Sequence, residues 1–201
     1  MPFDDENRLV ELVPWRSEWD AEFRALAERL AGCLGKRALA IDHLGSTAAP
    51  GLPAKDVIDV QVRVAVLDEA ALTSALARMG FRVRPEPWNR HERSGEDELP
   101  KLVFAPPPGG RPANVHVRTA TAPTTRYALL FRDYLRADAA ARDGWAAFKH
   151  SVQSVTRNLS EYGLIKSAAM PLLMANAERW AAETAWAPSD AGDVDFSPAG
   201  S

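Results

Sequence analysis

The chain has 201 residues, enough for one compact domain with a helical appendage, and its 46% apolar and 25% charged residues are ordinary for a soluble globular protein. A formal net charge of −3 leaves no excess of Lys and Arg for a dedicated nucleic-acid binder, whereas a small anionic metabolite or nucleotide needs only two or three local cations. No run approaches a membrane span, Met1 to Asn7 is acidic with no apolar signal region, and the single Cys33 allows neither an internal disulfide nor a multi-Cys metal site. A cytoplasmic address is the expectation.

In chain order, residues 1–7 read as a flexible N-terminus and Arg8 to Trp15 as a short strand. Ser17 stands where an N-cap would open a helix from about Glu18 to Leu34, with Trp19, Phe23, Leu26, Leu30 and Cys33 recurring at helical spacing. Strands are expected at Ala38 to Leu44 and Val57 to Val64, separated by a Gly/Pro-rich loop. A helix from Asp68 to Met79 stops at Gly80, and Phe81 to Arg84 reads as another strand. Pro85 to Pro100 reads as an exposed loop. Lys101 to Ala105 and Asn114 to Thr119 form the arms of a hairpin, joined by a connection rich in Pro and Gly. Beyond Pro123 the apolar period becomes helical through about residue 184, and 185–201, heavy in Ser, Asp, Gly and Pro, is expected to be disordered. The whole is an α+β chain: a mixed sheet over 8–122, then a helical segment over 123–184 packed on it.

Chemistry concentrates where the first strand ends at Leu44 and meets Gly45-Ser46-Thr47, followed by Lys55 and then Ile58-Asp59-Val60-Gln61-Val62. Gly45 permits a close backbone approach, and Ser46 and Thr47 supply donors that suit a phosphate. Strand parity puts Asp59 and Gln61 on one face and Ile58, Val60 and Val62 on the other. A carboxylate between Ile58 and Val60 needs a partner or a cation, so a structural ion pair and a metal site both remain open for Asp59. His116 stands on a later strand with Asn114 and Arg118 on its own face. Arg118 could fork onto a phosphate or carboxylate, and Lys166, one turn beyond Tyr162, is favoured over Lys149 as a helical site residue. Parity groups His43 with Ile41, which suits a core histidine.

The order Asp42-His43-Leu44-Gly45-Ser46-Thr47, Pro50-Gly51-Leu52, Ala54-Lys55, Ile58-Asp59-Val60 resembles the nucleotidyltransferase superfamily of polymerase-beta type, and within it the GrpB family. The resemblance continues through His116, Phe131 to Leu135, Tyr162 and Lys166, over roughly residues 8 to 184. It implies a nucleotidyltransferase-like core followed by helices, and a link to nucleotide or coenzyme A metabolism. It also implies transfer of a nucleotidyl or related phosphoryl group to a small acceptor. Gly45, Ser46, Thr47, Lys55, Gln61, Arg118 and Lys166 would then bind substrate, and Asp59 and His116 would be catalytic and hold a divalent metal, Mg²⁺, Mn²⁺ or Zn²⁺. The departure is at Gln61, where active members of the superfamily carry a second acid; Gln is a neutral ligand of low Mg²⁺ affinity. His116 could be a general base, share a single transition metal with Asp59, or pair with it in a pocket without catalysis. The alternative to an enzyme is thus a non-catalytic module that binds a nucleotide or coenzyme A precursor.

Overall fold

The computed structural model describes residues 8–194; the flexible segment expected at 1–7 and the last seven residues of the tail lie outside them. Helix α1 (Glu18–Leu34) forms where expected, burying Trp19, Phe23, Leu26, Ala27, Leu30 and Leu34 along one stripe. Ser17 occupies the N-cap position, yet its side chain makes no capping hydrogen bond. The expected strand at 8–15 reduces to one bridge, Val13 to Ala54, because Pro14 follows at once and has no N–H to extend a ladder.

Strands β1 (Ala40–Leu44), β2 (Ile58–Val64), β3 (Arg82–Val83), β6 (Leu102–Ala105) and β7 (Ala113–Thr119) make one mixed sheet in the order β1-β2-β7-β6-β3. Between β2 and β3 runs α2 (Glu69–Ala77), capped by the Asp68 carboxylate, which accepts from the Ala71 N–H at 3.0 Å. β2 and β7 are parallel, and the other pairs are antiparallel, including the expected β6–β7 arms.

Residues 85–100 are not the open loop the sequence suggested. They contain a second, two-stranded sheet, β4 (His91–Ser94) with β5 (Asp97–Pro100), turning at Gly95 with φ +63°. Half of its strand residues are charged and only Leu99 is a large apolar one, so no apolar alternation marked it; what it gains is a fork between Glu92 and Arg118 of β7.

Helices α3 (Pro123–Ala137), α4 (Ala139–Val155) and α5 (Leu159–Thr184) follow, with Asp138 and Asn158 capping α4 and α5. They share a cluster of Leu130, Phe131, Tyr134, Leu135, Trp145, Met174 and Ala177, which also takes in Ala49 and Leu52 from the loop after β1. The helices are therefore fixed directly to the Gly-Ser loop. A second difference lies in the tail: within 185–194 the chain runs back along β1 and is held there. Asp193 N–H donates to the Ile41 carbonyl at 2.9 Å, its carboxylate accepts from His43 N–H and Arg132, and Arg63 donates to the carbonyls of Ser189 and Ala191. A low-hydropathy segment can still be ordered when an edge strand offers it backbone partners. Among the described residues no helix is long and apolar enough to cross a membrane.

Candidate functional site

The two faces of the large sheet differ in chemistry. Ile58, Val60, Val62, Val115, Val117, Leu102 and Phe104 pack against α1 and α2. His43 belongs to this side: its ring stacks on Phe23 at 4.6 Å, its Nε2 lies 3.0 Å from Thr47 Oγ1, and burial with Arg136 nearby pushes it down to about 4. It is a neutral core histidine.

The opposite face carries Asp42, Asp59, Gln61, Arg63, Asn114, His116 and Arg118, brought together because β2 pairs with β1 as Asp42↔Gln61 and with β7 as Asp59↔Asn114 and Gln61↔His116. Asp59 meets Gly45 edge-on. Gly45 has φ +69°, and a Cβ there would lie 2.5 Å from Asp59 Oδ2, so a side chain would push the carboxylate out of place. Asn114 Nδ2 donates to Asp59 Oδ1 at 2.9 Å, and His116 Nε2 lies 3.9 Å from the same oxygen, beyond hydrogen-bond reach. Burial raises the Asp59 carboxyl, but His116, Asn114 and Lys55 outweigh it and hold it at about 2. His116 is pushed below its ordinary range by burial, against the pull of Asp59. At neutral pH the pair is a carboxylate beside a neutral imidazole.

A cavity of about 280 Å³ opens over this pair, lined by Gly45, Ser46, Thr47, Lys55, Asp59, His116, Lys149, Tyr162 and Lys166. Lys149, ranked behind Lys166 on sequence grounds, is the lysine that touches the Gly-Ser turn. It is buried, its ammonium donates to Ser46 Oγ at 2.9 Å and to the Pro53 carbonyl, and burial with Lys166 and Lys55 nearby pushes it down to about 7. A signal existed: Lys149 sits on the α4 stripe between Trp145 and Val152, an unusual place for a lysine without a task. Lys166 is also depressed, by burial and then by Lys55. A larger cavity of about 570 Å³ lies on the other side of Asp59, His116 and Lys166, walled by Tyr127, Phe131, Met170 and the β4–β5 hairpin.

Three sequence-predicted binding residues have other partners. Gln61 is wholly buried; its Nε2 donates to Asp42 Oδ2 at 3.2 Å and its Oε1 accepts from Arg118 at 3.0 Å. Arg118 completes the chain by forking onto Glu92 at 2.7 and 2.9 Å, so its guanidinium is engaged although it borders the larger cavity. Asp42 is held in turn by Arg63. The Thr47 hydroxyl faces His43 and its carbonyl accepts from Trp15 Nε1, so Thr47 stiffens the turn from behind.

The donor set decides which metal could fit. Among the described residues no group of three or more His, Cys, Asp and Glu side chains is placed to hold an ion. Gln61 and Asp42 are tied to arginines, so a two-Mg²⁺ centre does not fit. Asp59 and His116 could supply two ligands to one ion, completed by water or phosphate oxygens.

Comparison with known proteins gives a consistent picture. The family model described as "GrpB protein" matches residues 9–175. A dephospho-CoA kinase of Mycolicibacterium paratuberculosis is 36% identical over 200 residues, covering 89% of this chain and 48% of that protein. The UPF0157 protein BH1888 of Halalkalibacterium halodurans is 31% identical, covering 85% of this chain and 84% of its own. The crystal structure of the conserved protein GrpB from Enterococcus faecalis superposes with a TM-score of 0.70 at 23% identity, over 85% of this chain and 99% of that one. The chain spans about half the length of the kinase relatives it matches.

Proposed function

The chain belongs to the GrpB family, and from that membership and the geometry of its site we propose that it binds a nucleotide through the lysine-lined cavity and transfers a nucleotidyl or related phosphoryl group to a small acceptor. The observation that carries this reading is the meeting of Ser46, Lys55, Lys149 and Lys166 with Asp59 and His116 in one cavity. Three lysines beside a glycine turn suit a polyphosphate, since burial depresses Lys149 and Lys166 and a bound phosphate would restore stabilisation of their charge. Asp59 and His116 would hold one divalent cation, which when bound polarises a phosphate oxygen. The residues of the chain do the rest. Lys149 positions Ser46, Gly45 lets the backbone approach, and neutral His116 can take the proton of an acceptor hydroxyl if it is not bound to metal.

Gln61 favours a second reading, a binding module without turnover. Its amide is locked between Asp42 and Arg118, so the position that would carry a second acid offers none. The dephospho-CoA kinase relatives make a coenzyme A precursor a ligand class to try.

One experiment separates these readings. Thermal shift is measured with nucleotides and coenzyme A precursors, with Mg²⁺, Mn²⁺, Zn²⁺ or chelator, on the wild type and on Asp59→Asn. Metal-dependent stabilisation that disappears in Asp59→Asn, together with nucleotide consumption when small hydroxylated acceptors are supplied, supports transfer. Stabilisation without consumption supports the binding module. Stabilisation that is equal in chelator and unchanged in Asp59→Asn sinks the metal-dependent mechanism.

A further inference from the structure

A further cavity, of about 560 Å³, opens behind the Gly45-Ser46 turn, between the start of α1, the loop after β1 and the corner where α3 meets α4. Its volume falls in the range of small-molecule sites. Thr47 borders both this cavity and the lysine cavity, whereas Asp59 and His116 do not reach it. Part of its wall is apolar and fixed: Trp15 and Pro50 border it, and the Trp15 indole is anchored by Nε1 donating to the Thr47 carbonyl at 3.2 Å.

Arg136 and Arg142 supply the charge. Arg136, in the last turn of α3, donates from Nε to the Ala48 carbonyl at 2.8 Å. Arg142, near the start of α4, donates from Nη1 to the carbonyls of Leu135 and Arg136 at 3.2 and 3.4 Å. The acids nearby are already taken. Asp133 lies 3.5 Å from Arg136 but is forked by Arg132 at 2.7 and 3.2 Å, and Asp193 pairs with Arg132 as well. Asp20 borders the cavity and pairs with Arg24 at 2.9 Å. Among the described residues, Nη2 of Arg136 and both Nε and Nη2 of Arg142 have no acceptor. A guanidinium is a planar fork of N–H donors, so donors remain here for an oxyanion. The local charge is felt by its neighbours. His43 borders the cavity, and after burial Arg136 weighs most on its imidazole, pushing it down more than any one nearby acid pulls it up. Arg136 itself is pushed below its ordinary range, by burial and then by Arg132.

We infer that this cavity is an anion site distinct from the lysine cavity: Arg136 and Arg142 together take the phosphate or carboxylate of a small organic anion, and Trp15 with Pro50 covers its apolar body. Arg136 also holds Ala48, so a ligand on it braces the turn that carries Ser46. The site does not depend on the nucleotide reading, because neither arginine borders the lysine cavity.

Titration of the full chain with phenyl phosphate and, separately, with benzoate tests it, read from the arginine Nε–Hε NMR resonances. At least one probe should shift those of Arg136 and Arg142 saturably in the wild type, and to the same extent in Lys149→Gln, where the lysine cavity has lost a cation. The more effective probe identifies the head group. By calorimetry its affinity should fall about tenfold or more in Arg142→Gln, the loss expected for a hydrogen bond between charged partners. Resonances that stay still with both probes overturn the site. So do shifts that vanish in Lys149→Gln, which would put the anion in the lysine cavity, and so does an unchanged affinity in Arg142→Gln. The wild-type resonances decide the matter if that variant does not fold.

Discussion

The two faces of one sheet obey different physics. The face toward α1 and α2 is apolar, and its energy comes from burial and close packing around Phe23, Val60, Val115 and Phe104. The face toward α3, α5 and the β4–β5 hairpin is a chain of charges and amides, Arg63–Asp42–Gln61–Arg118–Glu92, ending beside the Asp59–His116 pair. On the first face any apolar residue of similar volume would serve. On the second each side chain satisfies its neighbour, and removing one leaves another buried and unpaired.

The largest expected effect breaks the apolar face. Phe104→Ala should cost about 3–5 kcal/mol of stability, read from the denaturant midpoint, because it empties a wholly buried aromatic site. A loss below about 1 kcal/mol would mean that the core is less tightly packed than the structure shows. On the polar face, Gly45→Ala should cost about 1–3 kcal/mol, because φ +69° with ψ −164° is a region essentially reserved for glycine. It should also abolish metal-dependent nucleotide stabilisation by displacing Asp59; retention of that stabilisation would show that Asp59 is not the metal ligand.

Gln61→Glu sharpens the comparison. The substitution puts an acid where the resemblance to polymerase-beta-type nucleotidyltransferases leads one to expect it, yet here it would replace an amide donor with an acceptor facing Asp42. A stability loss of about 1–3 kcal/mol with no gain in metal affinity is expected, measured by denaturation and by metal titration. A gain in Mg²⁺ affinity would show that Gln61 can turn toward Asp59.

The smallest effect is a pH dependence. Burial holds Lys149 at about 7, below its ordinary range, and a bound phosphate would raise it again. Binding therefore takes up a proton between the free and bound values, and nucleotide affinity should fall as pH rises above about 7, by at most about tenfold per pH unit. Affinity that stays flat between pH 7 and 9 in the wild type would remove Lys149 from phosphate binding.

Period and punctuation made much of this legible. Helix α1 followed from apolar spacing, and the faces of β2 followed from strict alternation, so the sequence alone sets Asp59 apart from Ile58 and Val60. The β4–β5 hairpin was not legible, because charged residues carry no apolar alternation and its place depends on distant elements, among them Arg118 of β7, which forks onto Glu92. The ordering of residues 189–193 was hidden in the same way, since its partners are backbone groups of β1 and Arg63, more than a hundred residues away.

By itself the sequence determined the α+β class and the Gly45-Ser46 turn with its downstream Asp59, because these rest on local backbone preference and period, and it pointed to the family through the resemblance of its motifs. Only the tertiary structure decided which polar side chains face the cavity. Gln61 and Arg118 share a face with the site, yet they turn to Asp42 and Glu92, while Lys149 comes across from α4 to reach Ser46. A buried polar group takes whichever partner satisfies it, and for each of these residues that partner lies on a different element of the fold.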